Sequence, residues 1–262
     1  MEYSFISGAT GGIGKAFSIT LAKDGFNLFL TGRSDDKLNL LKSEILSVNP
    51  NISVLTCACD LTDKAGREKL LDFATQNDAV FNRIVHVAGV DTQKAFLSYT
   101  REKVLFQLSV NAEATTDLTY LLLKRRAPSV EILVVGSMSG QTPMPYFAIY
   151  SATKAYLLNL FTALHYELKD DGVKVTTVLP GGVFTRPDIV EEIKSQGLWG
   201  RLTAKTPEYI AKKSLKAVKK NKVKYIPGFF NKLLNLIISI APKRIVLTFI
   251  KRRWKKHSKD AF

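Results

Sequence analysis

The chain has 262 residues, of which 46% are hydrophobic and 23% charged, and it carries a formal net charge of +15. That length suits one α/β domain with a large core. The chain has two cysteines, Cys57 and Cys59, which are too few for a disulfide framework. We expect them to be reduced thiols in a cytosolic protein. No histidine clusters with carboxylates at ligand spacing, so no catalytic metal is expected, and no signal peptide is expected because Glu2 and Ser4 interrupt an apolar start.

Short apolar runs alternate with longer helical stretches along most of the chain. Strands are predicted near residues 3–7, 26–31, 52–57, 82–87, 131–136, 173–178 and 223–226. Helices are predicted near residues 12–24, 35–48, 63–77, 100–126, 149–170 and 207–220. Apolar strands of this kind are typical of a sheet buried on both faces. Their alternation with helices predicts a parallel, doubly wound α/β fold of about seven strands.

The first strand runs into a glycine-rich turn, Ser7 to Gly14, which opens the first helix. Gly8 allows a tight turn, Gly12 lets a pyrophosphate approach the backbone, and Gly14 lets helix and strand pack closely. The free N–H groups at the start of the helix would then meet the phosphates. A glycine-rich turn without a ligand is the alternative. The strand–turn–helix context favours a dinucleotide site and therefore a Rossmann-type sheet.

The end of the second strand bears on the choice of dinucleotide. Gly32 stands where a carboxylate would repel a ribose 2′-phosphate, and Arg33 offers a guanidinium that suits this phosphate in charge and shape. We therefore expect NADP(H) rather than NAD(H). In the alternative interpretation, Arg33 stacks on the adenine, which would serve either cofactor. Asp35 and Asp36 are better explained as the first residues of the next helix.

Tyr150 and Lys154 lie one helical turn apart, and Ser137 precedes them on the chain. A phenol with a pKa near ~10 is a poor acid at neutral pH, but a nearby ammonium group favours the phenolate and lowers that pKa. A serine hydroxyl can hold a substrate oxygen beside the phenol, and spacing favours Ser137 over Ser139 for this role. A Tyr and a Lys on an exposed helix face are the alternative. The glycine turn at the other end of the chain favours proton transfer during carbonyl reduction or alcohol oxidation.

Six of these features fall at or just past the predicted carboxyl ends of strands. Ligands of open parallel sheets bind along that rim. The six residues are Ser7, Gly32, Asp60, Gly89, Ser137 and Pro180. The pattern therefore predicts that the motifs converge on one site.

Together these motifs resemble the classical short-chain dehydrogenase/reductase family, from about Tyr3 to Thr185 and more loosely to about Ile226. The resemblance implies a catalytic tetrad of Asn111, Ser137, Tyr150 and Lys154. It also implies a nicotinamide dinucleotide held by Ser7, Gly8, Thr10, Gly12, Ile13, Gly14, Arg33, Asp60, Leu61, Ala88, Gly89, Asn111, Tyr150, Lys154, Pro180, Gly181, Val183 and Thr185. The family's N-N-A-G after the fourth strand reads H-V-A-G at residues 86–89, so this turn must be braced differently.

The resemblance further implies an NADP(H)-dependent oxidoreductase, with Tyr150 as acid or base in hydride transfer. Lys154 would lower the pKa of Tyr150 and hold the nicotinamide ribose. Asn111 would anchor a water chain to Lys154, unless it is a helix residue that only bonds to nearby backbone. A non-catalytic dinucleotide-binding scaffold or sensor at a membrane surface is the alternative, but a pure binder has no need of all four tetrad residues.

Apolar residues near the site favour a hydrophobic ketone or secondary alcohol, such as a steroid or an acyl ketone. Residues 186–206 would form a mobile lid by resemblance, with apolar members Ile189, Val190, Ile193, Leu198 and Trp199. Further candidates for the pocket wall, or for ordinary packing, are Met138, Met144, Pro145, Tyr146 and Phe147. We expect a homo-oligomer in the cytoplasm, either free or peripheral on the inner face of the membrane.

The basic charge is concentrated at the end of the chain, which divides it into a catalytic domain (1–227) and a helical extension (228–262). Residues 212–262 hold sixteen Lys and Arg against one acid, whereas residues 1–211 hold twenty-two of each sign. Residues 229–241 form an amphipathic pattern that ends at Pro242, and apolar residues then lead into the basic run 251–256. Neither run is long enough to span a bilayer. An anionic membrane surface is as well supported as a pocket cover or a dimer contact, and nucleic acid is less favoured.

Overall fold

The computed structural model describes residues 1–195 and 197–255. The basic residue Lys256 and the rest of the C-terminus lie outside the described part, as do the side chains of Glu192 and the lid residue Trp199. The strands are β1 (Glu2–Ser7), β2 (Leu28–Gly32), β3 (Val54–Ala58), β4 (Val80–His86), β5 (Arg126–Val135), β6 (Val173–Val178) and β7 (Lys224–Tyr225). The helices are α1 (Gly12–Lys23), α2 (Asp35–Val48), α3 (Lys64–Gln76), α4 (Arg101–Leu108), α5 (Ala114–Leu123), α6 (Ala148–Glu167), α7 (Pro187–Ser195), α8 (Gly197–Thr203), α9 (Pro207–Lys219), α10 (Phe229–Ile240) and α11 (Lys243–Trp254).

The seven strands form one parallel sheet in the order β3-β2-β1-β4-β5-β6-β7. The prediction of a doubly wound α/β fold with about seven strands is therefore confirmed. The strand order reverses between β1 and β4, and ligands of such sheets bind outside the carboxyl ends of the strands at this point. The glycine turn after β1 and the turn after β4 meet there.

Two apolar layers hold the helices against the sheet. Residues of α1, α2 and α9 pack on one face, and residues of α3, α5 and α6 pack on the other. On the second face, Phe5, Phe29 and Phe81 of three adjacent strands are fully buried, with ring centroids 5.6–5.9 Å apart. Tilted and edge-on aromatic contacts of this kind stabilise a sheet beyond simple area burial. The central strands that present the site therefore rest on a rigid base.

The prediction of one continuous helix over residues 100–126 is wrong. The segment predicted as 100–126 contains α4, a π-helical turn at Ser109–Glu113 and then α5, and β5 begins at Arg126 instead of residue 131. Side-chain periodicity does not reveal a π-turn, because one wide turn barely changes the pattern. The early start of β5 contains a register shift against β4 near Pro128, a residue that cannot donate a ladder hydrogen bond.

Beyond β6 the chain folds back over the carboxyl rim. Helices α7 and α8 occupy the predicted lid, and α10 and α11 occupy the predicted extension. Val183 and Lys205 pair as an isolated bridge that joins the two ends of the lid. In the described part of the chain, none of the helices combines the length and apolar character needed to cross a bilayer.

Candidate active site

The glycine turn forms an open cradle at the start of α1. Gly8 adopts a left-handed φ of +63°, and a Cβ at this position would lie 2.9 Å from the backbone of Ala88. A Cβ at Gly14 would overlap the carbonyl oxygen of Gly8. Gly11 precedes the helix and has no side chain that could cap the N–H groups at the helix start. Backbone groups arranged in this way suit a phosphate, and the residues therefore fit a dinucleotide.

The other predicted residues of this turn have structural contacts. Ile13 packs against the core, and the Thr10 hydroxyl lies 3.3 Å from the point that a Cβ of Gly32 would occupy. The Ser7 hydroxyl is buried and accepts hydrogen bonds from the backbone N–H groups of Val87 (3.1 Å) and Ala88 (3.3 Å). Ser7 therefore braces the turn after β4, in which the family's two asparagines are replaced.

His86 has a purely internal role in the same turn. Its Nε2 lies 2.9 Å from the hydroxyl of Thr119, and its ring is 2% exposed. Burial lowers the pKa of His86 to about 3, so the ring is neutral. A neutral buried imidazole supplies packing and one hydrogen bond, and it leaves the chemistry of the rim to other residues.

Asn111 lies in the π-turn and fixes the backbone beside the site. Its side-chain oxygen accepts a hydrogen bond from the N–H of Val90 (2.8 Å), and its amide donates to the Val90 carbonyl (2.9 Å) and to Thr153 (3.1 Å). The side chain of Asn111 therefore points from the π-turn to the loop that follows β4. Asn111 is fully buried. Gly89 fits beside it, since a Cβ there would lie 3.3 Å from both Asn111 Oδ1 and Lys154 Nζ.

Ser137 and Tyr150 are brought together as predicted. Ser137 begins a 3-10 turn after β5, and its hydroxyl lies close enough to the phenol of Tyr150 on α6 to act on the pKa of that phenol. Ser139 donates from its backbone N–H (3.2 Å) and from its hydroxyl (2.8 Å) to Ser137 Oγ. The sequence treats Ser139 only as a competitor for Ser137. In the structure Ser139 orients Ser137. The two bonds from Ser139 occupy the acceptor sites of Ser137 Oγ and leave the Ser137 proton for the phenol.

Lys154 lies beneath the ring of Tyr150. Its ammonium nitrogen is 5.5 Å from the ring centroid and donates to the carbonyl of Val135 at 2.9 Å. The side chain is 3% exposed. Burial lowers the pKa of Lys154 to about 8, and the carboxylate of Asp91 opposes that shift. Lys154 is therefore a cation at neutral pH that becomes neutral in mildly alkaline solution.

The expected effect on Tyr150 is not the one found. The sequence predicts that Lys154 lowers the pKa of Tyr150. In the structure that pKa is raised, first by burial and second by Asp91, while the hydrogen bond from Ser137 acts in the opposite direction. The physical reason is that Lys154 contacts the ring face and donates to Val135 instead of the phenol oxygen. Tyr150 is thus held as a neutral phenol.

Asp91 is a site residue that sequence reasoning missed. It follows Val90, whose backbone is bound by Asn111 and also by Gln107 Nε2 (3.1 Å). The carbonyl of the following residue, Thr92, accepts a bond from Tyr99. These contacts fix the carboxylate of Asp91 close enough to raise the pKa of both Tyr150 and Lys154. Its position two residues past Gly89 at a strand end was the available signal.

The adenosine end of the predicted site lies along β2 and β3. Arg33 is exposed at the end of β2. Asp60, also exposed, accepts hydrogen bonds from the backbone N–H (2.9 Å) and hydroxyl (2.8 Å) of Thr62. Leu61 is buried, and its carbonyl accepts from Arg67. Arg67, also missed from the sequence, bonds to Glu113 and Asp117 and so ties this turn to the π-turn and α5.

The segment after β6 closes against the glycine turn. The carbonyl of Pro180 accepts from the N–H of Met138 at 3.0 Å, next to Ser137. A Cβ at Gly181 would lie 3.1 Å from Asn231 of α10, and a Cβ at Gly12 would lie 3.1 Å from Thr185. Val183 is buried and pairs with the far end of the lid. Every predicted motif thus lies on one rim.

Aromatic residues form part of the wall beside the phenol. Phe147 stacks on Tyr150 with ring centroids 4.5 Å apart, and Trp254 of α11 lies 6.5 Å from Phe147. The neighbouring Tyr146 has a φ of +66°, a strained conformation for a non-glycine residue. A cavity of about 540 Å³ lies between residues 140–145, the first turns of α6 and Leu247 of α11. The tail helix α11 is therefore part of the surroundings of the site.

Comparison with known proteins agrees with this geometry. The family model described as short chain dehydrogenase matches residues 3–196. A very-long-chain 3-oxoacyl-CoA reductase of Caenorhabditis briggsae is 34% identical over 200 residues, which cover 71% of this chain and 60% of that protein. The corresponding reductase of Bos taurus is 32% identical over 225 residues, which cover 83% of this chain and 68% of that protein.

A solved structure of a 7beta-hydroxysteroid dehydrogenase has the same fold, with a TM-score of 0.85 at 24% identity over 95% of this chain and 96% of that one. The chain spans about 60% of the length of the nematode relative. The family match covers the glycine turn, the segment after β4 and the Ser137–Tyr150–Lys154 cluster. The chain belongs to the short-chain dehydrogenase family of oxidoreductases.

Proposed function

We propose that this protein is an NADP(H)-dependent oxidoreductase that interconverts a hydrophobic ketone and a secondary alcohol. The observation that carries this proposal is the contact between the Ser137 hydroxyl and the Tyr150 phenol, with Lys154 Nζ 5.5 Å from the phenol ring. A substrate oxygen beside the phenol would meet one proton donor and one positioning hydroxyl. When bound in the glycine cradle, a nicotinamide cofactor supplies or accepts the hydride.

The residues of this chain would manage the proton. Tyr150 donates its proton to the substrate oxygen as negative charge develops there, and Ser137 holds that oxygen in line. Lys154, whose ammonium nitrogen lies 5.5 Å from the centroid of the Tyr150 ring, would hold the nicotinamide ribose when the cofactor is bound. Asn111 keeps the backbone at Val90 in place and thereby positions Asp91 near the pair.

The raised pKa of Tyr150 means that the phenol is protonated near neutral pH, which is the form that carbonyl reduction requires. A neutral phenol is ready to protonate an alkoxide, which is a far stronger base. Oxidation would need the phenolate before the reaction starts, and burial and Asp91 both disfavour that form. We therefore propose that carbonyl reduction runs readily near neutrality and that alcohol oxidation needs alkaline solution.

The end of β2 supports NADP(H). Arg33 is exposed at this end, and Ser34 caps α2 by accepting from the N–H of Lys37. Gly32 leaves no carboxylate at the ribose position. A guanidinium there could form a charge-assisted, bidentate contact with a 2′-phosphate.

The substrate class rests on the site and on the names of the relatives. The relatives reduce 3-oxoacyl-CoA by name, and the solved neighbour is named for a hydroxysteroid. Here Phe147 and Trp254 provide an apolar aromatic wall near Tyr150. We propose an acyl or steroid-like carbonyl compound with an extended apolar body.

We also propose that the enzyme is a cytoplasmic homo-oligomer. Large side chains are exposed on α4 and α5 and on the outer side of α6, namely Leu105, Leu108, Tyr120, Tyr156 and Tyr166. Packing of these faces between copies would cover them. Cys57 and Cys59 are both free thiols, which is consistent with a reducing compartment.

A panel of acyl ketones, steroids and small aldehydes, followed by NADPH absorbance, tests the proposal. Turnover is expected with at least one extended apolar carbonyl, and kcat/KM should be higher with NADPH than with NADH. Tight NADPH binding without turnover of any compound would favour the alternative, a non-catalytic dinucleotide-binding scaffold.

A further inference from the structure

Helix α10 presents its apolar face away from the protein. Residues three or four apart along it are exposed and share one side, namely Phe229, Phe230, Leu233, Leu236, Ile237 and Ile240, with exposures of 43–76%. The opposite side carries amides that face inward. Asn231 is 1% exposed and donates to the carbonyls of Thr203 and Pro227, and Asn235 bonds to Gln141. A helix on a water-exposed surface normally has the reverse arrangement.

Helix α11 has apolar residues on two opposite sides. On the inner side, Ile250 is buried, Leu247 lines the cavity behind residues 140–145, and Trp254 lies near Phe147. On the outer side, Ile245 and Phe249 are four residues apart and are each 65% exposed. The inner side already accounts for the contact with the active-site wall. The outer side needs another partner.

These eight exposed residues, which we call the outer apolar face, are accompanied by positive charge. The exposed basic residues of the two helices and the residue after them are Lys232, Lys243, Arg244, Lys251, Arg252 and Lys255. The sequence contains no acid between Glu208 and Asp260. Clusters of exposed apolar side chains bordered by polar residues mark interaction sites, and the charge of this one is complementary to an apolar surface bordered by negative charge.

We propose that the outer apolar face of α10 and α11 docks on an anionic lipid bilayer. The apolar side chains would enter the boundary between headgroups and acyl chains, and the basic residues would contact anionic headgroups. Each Lys or Arg near such a surface strengthens the attraction to the bilayer, and salt weakens it. The proposal extends the proposed function by naming a partner for the same part of the enzyme.

A second copy of this chain is a weaker candidate for the same face. Two-fold pairing would place the same surface of both copies together. The exposed basic residues of both copies would then come near one another without an acid on either helix, and that repulsion opposes the apolar contact. Nucleic acid would satisfy the charges but would leave the aromatic and aliphatic residues in water. An anionic bilayer satisfies both sets.

Docking would have a direct consequence for the site. The inner sides of the same helices contact three residues of the site region. Gln141 ends the 3-10 turn that Ser137 begins, Gly181 belongs to the predicted cofactor site, and Phe147 stacks on Tyr150. The elements that meet the bilayer are therefore the elements that border the pocket. Docking would therefore bring this border of the pocket to the membrane surface.

The test uses the full-length protein without substrate or cofactor, in sedimentation with vesicles of phosphatidylcholine alone or mixed with phosphatidylglycerol. We expect binding to the mixed vesicles at low salt, little binding to phosphatidylcholine, and release as salt screens the charges. Leu236→Asn with Ile240→Asn should weaken binding about tenfold or more, because two apolar side chains that would enter the bilayer are replaced by polar ones. Lys251→Glu with Arg252→Glu should have a comparable effect.

The matched control is Leu40→Asn with Leu97→Asn, which replaces two apolar residues that are exposed on other surfaces. This variant should bind like the wild type, and thermal unfolding should show that all variants are folded. Failure of wild-type protein to bind mixed vesicles would overturn the proposal. So would dimerisation through this face, seen by light scattering and abolished by the α10 variant, or binding to DNA but not to vesicles. Because sedimentation needs no turnover, the result is independent of the reductase proposal.

Discussion

The hydroxyl of Ser139 donates to the hydroxyl of Ser137 at 2.8 Å. That bond sets the direction in which Ser137 offers its own proton. Ser139→Ala should therefore lower kcat about fivefold, the value of one hydrogen bond, with little change in KM. Ser139→Thr keeps a hydroxyl and should restore most of the rate. Steady-state kinetics with one substrate measure this, and an alanine variant as active as the wild type would remove Ser139 from the account.

Asp91 provides a prediction about pH. Its carboxylate raises the pKa of both Lys154 and Tyr150. The cation at Lys154 is lost as pH rises through its pKa of about 8, so reduction should decline on this alkaline limb. Asp91→Asn removes the negative charge and should lower both pKa values.

The measurement is the pH profile of kcat/KM for reduction in wild type and Asp91→Asn. The alkaline limb should move to lower pH in the variant. A control is Asp72→Asn, which removes a carboxylate from α3 and should leave the limb in place. An unchanged or upward-shifted limb in Asp91→Asn would show that this carboxylate does not act on the pair.

How far the sequence predicts the site depends on the kind of signal. Glycines, the Tyr–Lys spacing and strand ends are local patterns, and they correctly bring Gly8, Ser137 and Tyr150 to one rim. Contacts between distant segments leave no local pattern. The clamp of Asn111 on Val90 requires a π-turn that periodicity does not reveal.

The sequence also does not reveal the pKa of Tyr150 or the side of α10 that faces the protein. The raised pKa of Tyr150 results from burial and from Asp91, and both depend on the folded surroundings. The sequence of α10 predicts an amphipathic helix, but the pattern alone does not say which side of the helix faces the protein. Hydrogen bonds from Asn231 place the polar side inward.

We expect Arg33 to determine the preference for NADPH over NADH. Arg33→Ala should raise KM for NADPH about tenfold to a hundredfold, because one charge-assisted contact is lost. KM for NADH should change little, since NADH has no 2′-phosphate. Arg33→Lys should lie between these values because it keeps the charge without the fork. Equal effects on both cofactors would mean that Arg33 stacks on adenine.

Gly14 tests the packing of the cradle. A Cβ there would overlap the Gly8 carbonyl, so Gly14→Ala should destabilise the protein by about 1–3 kcal/mol and lower Tm by several degrees. NADPH affinity should fall as the turn shifts. Gly11→Ala is the control, since its Cβ would lie 3.4 Å from the same oxygen at an ordinary φ of −78°. Thermal unfolding of both variants should separate them clearly, and equal Tm values would argue against the tight helix–turn contact.

Proton donation by Tyr150 is the central claim. Tyr150→Phe keeps the ring that stacks on Phe147 and removes only the hydroxyl. Single-turnover reduction of the best carbonyl substrate, measured beside NADPH fluorescence titration, should show a rate about 10²–10⁴-fold lower with nearly unchanged NADPH affinity. A variant that reduces the substrate at the wild-type rate would contradict the account.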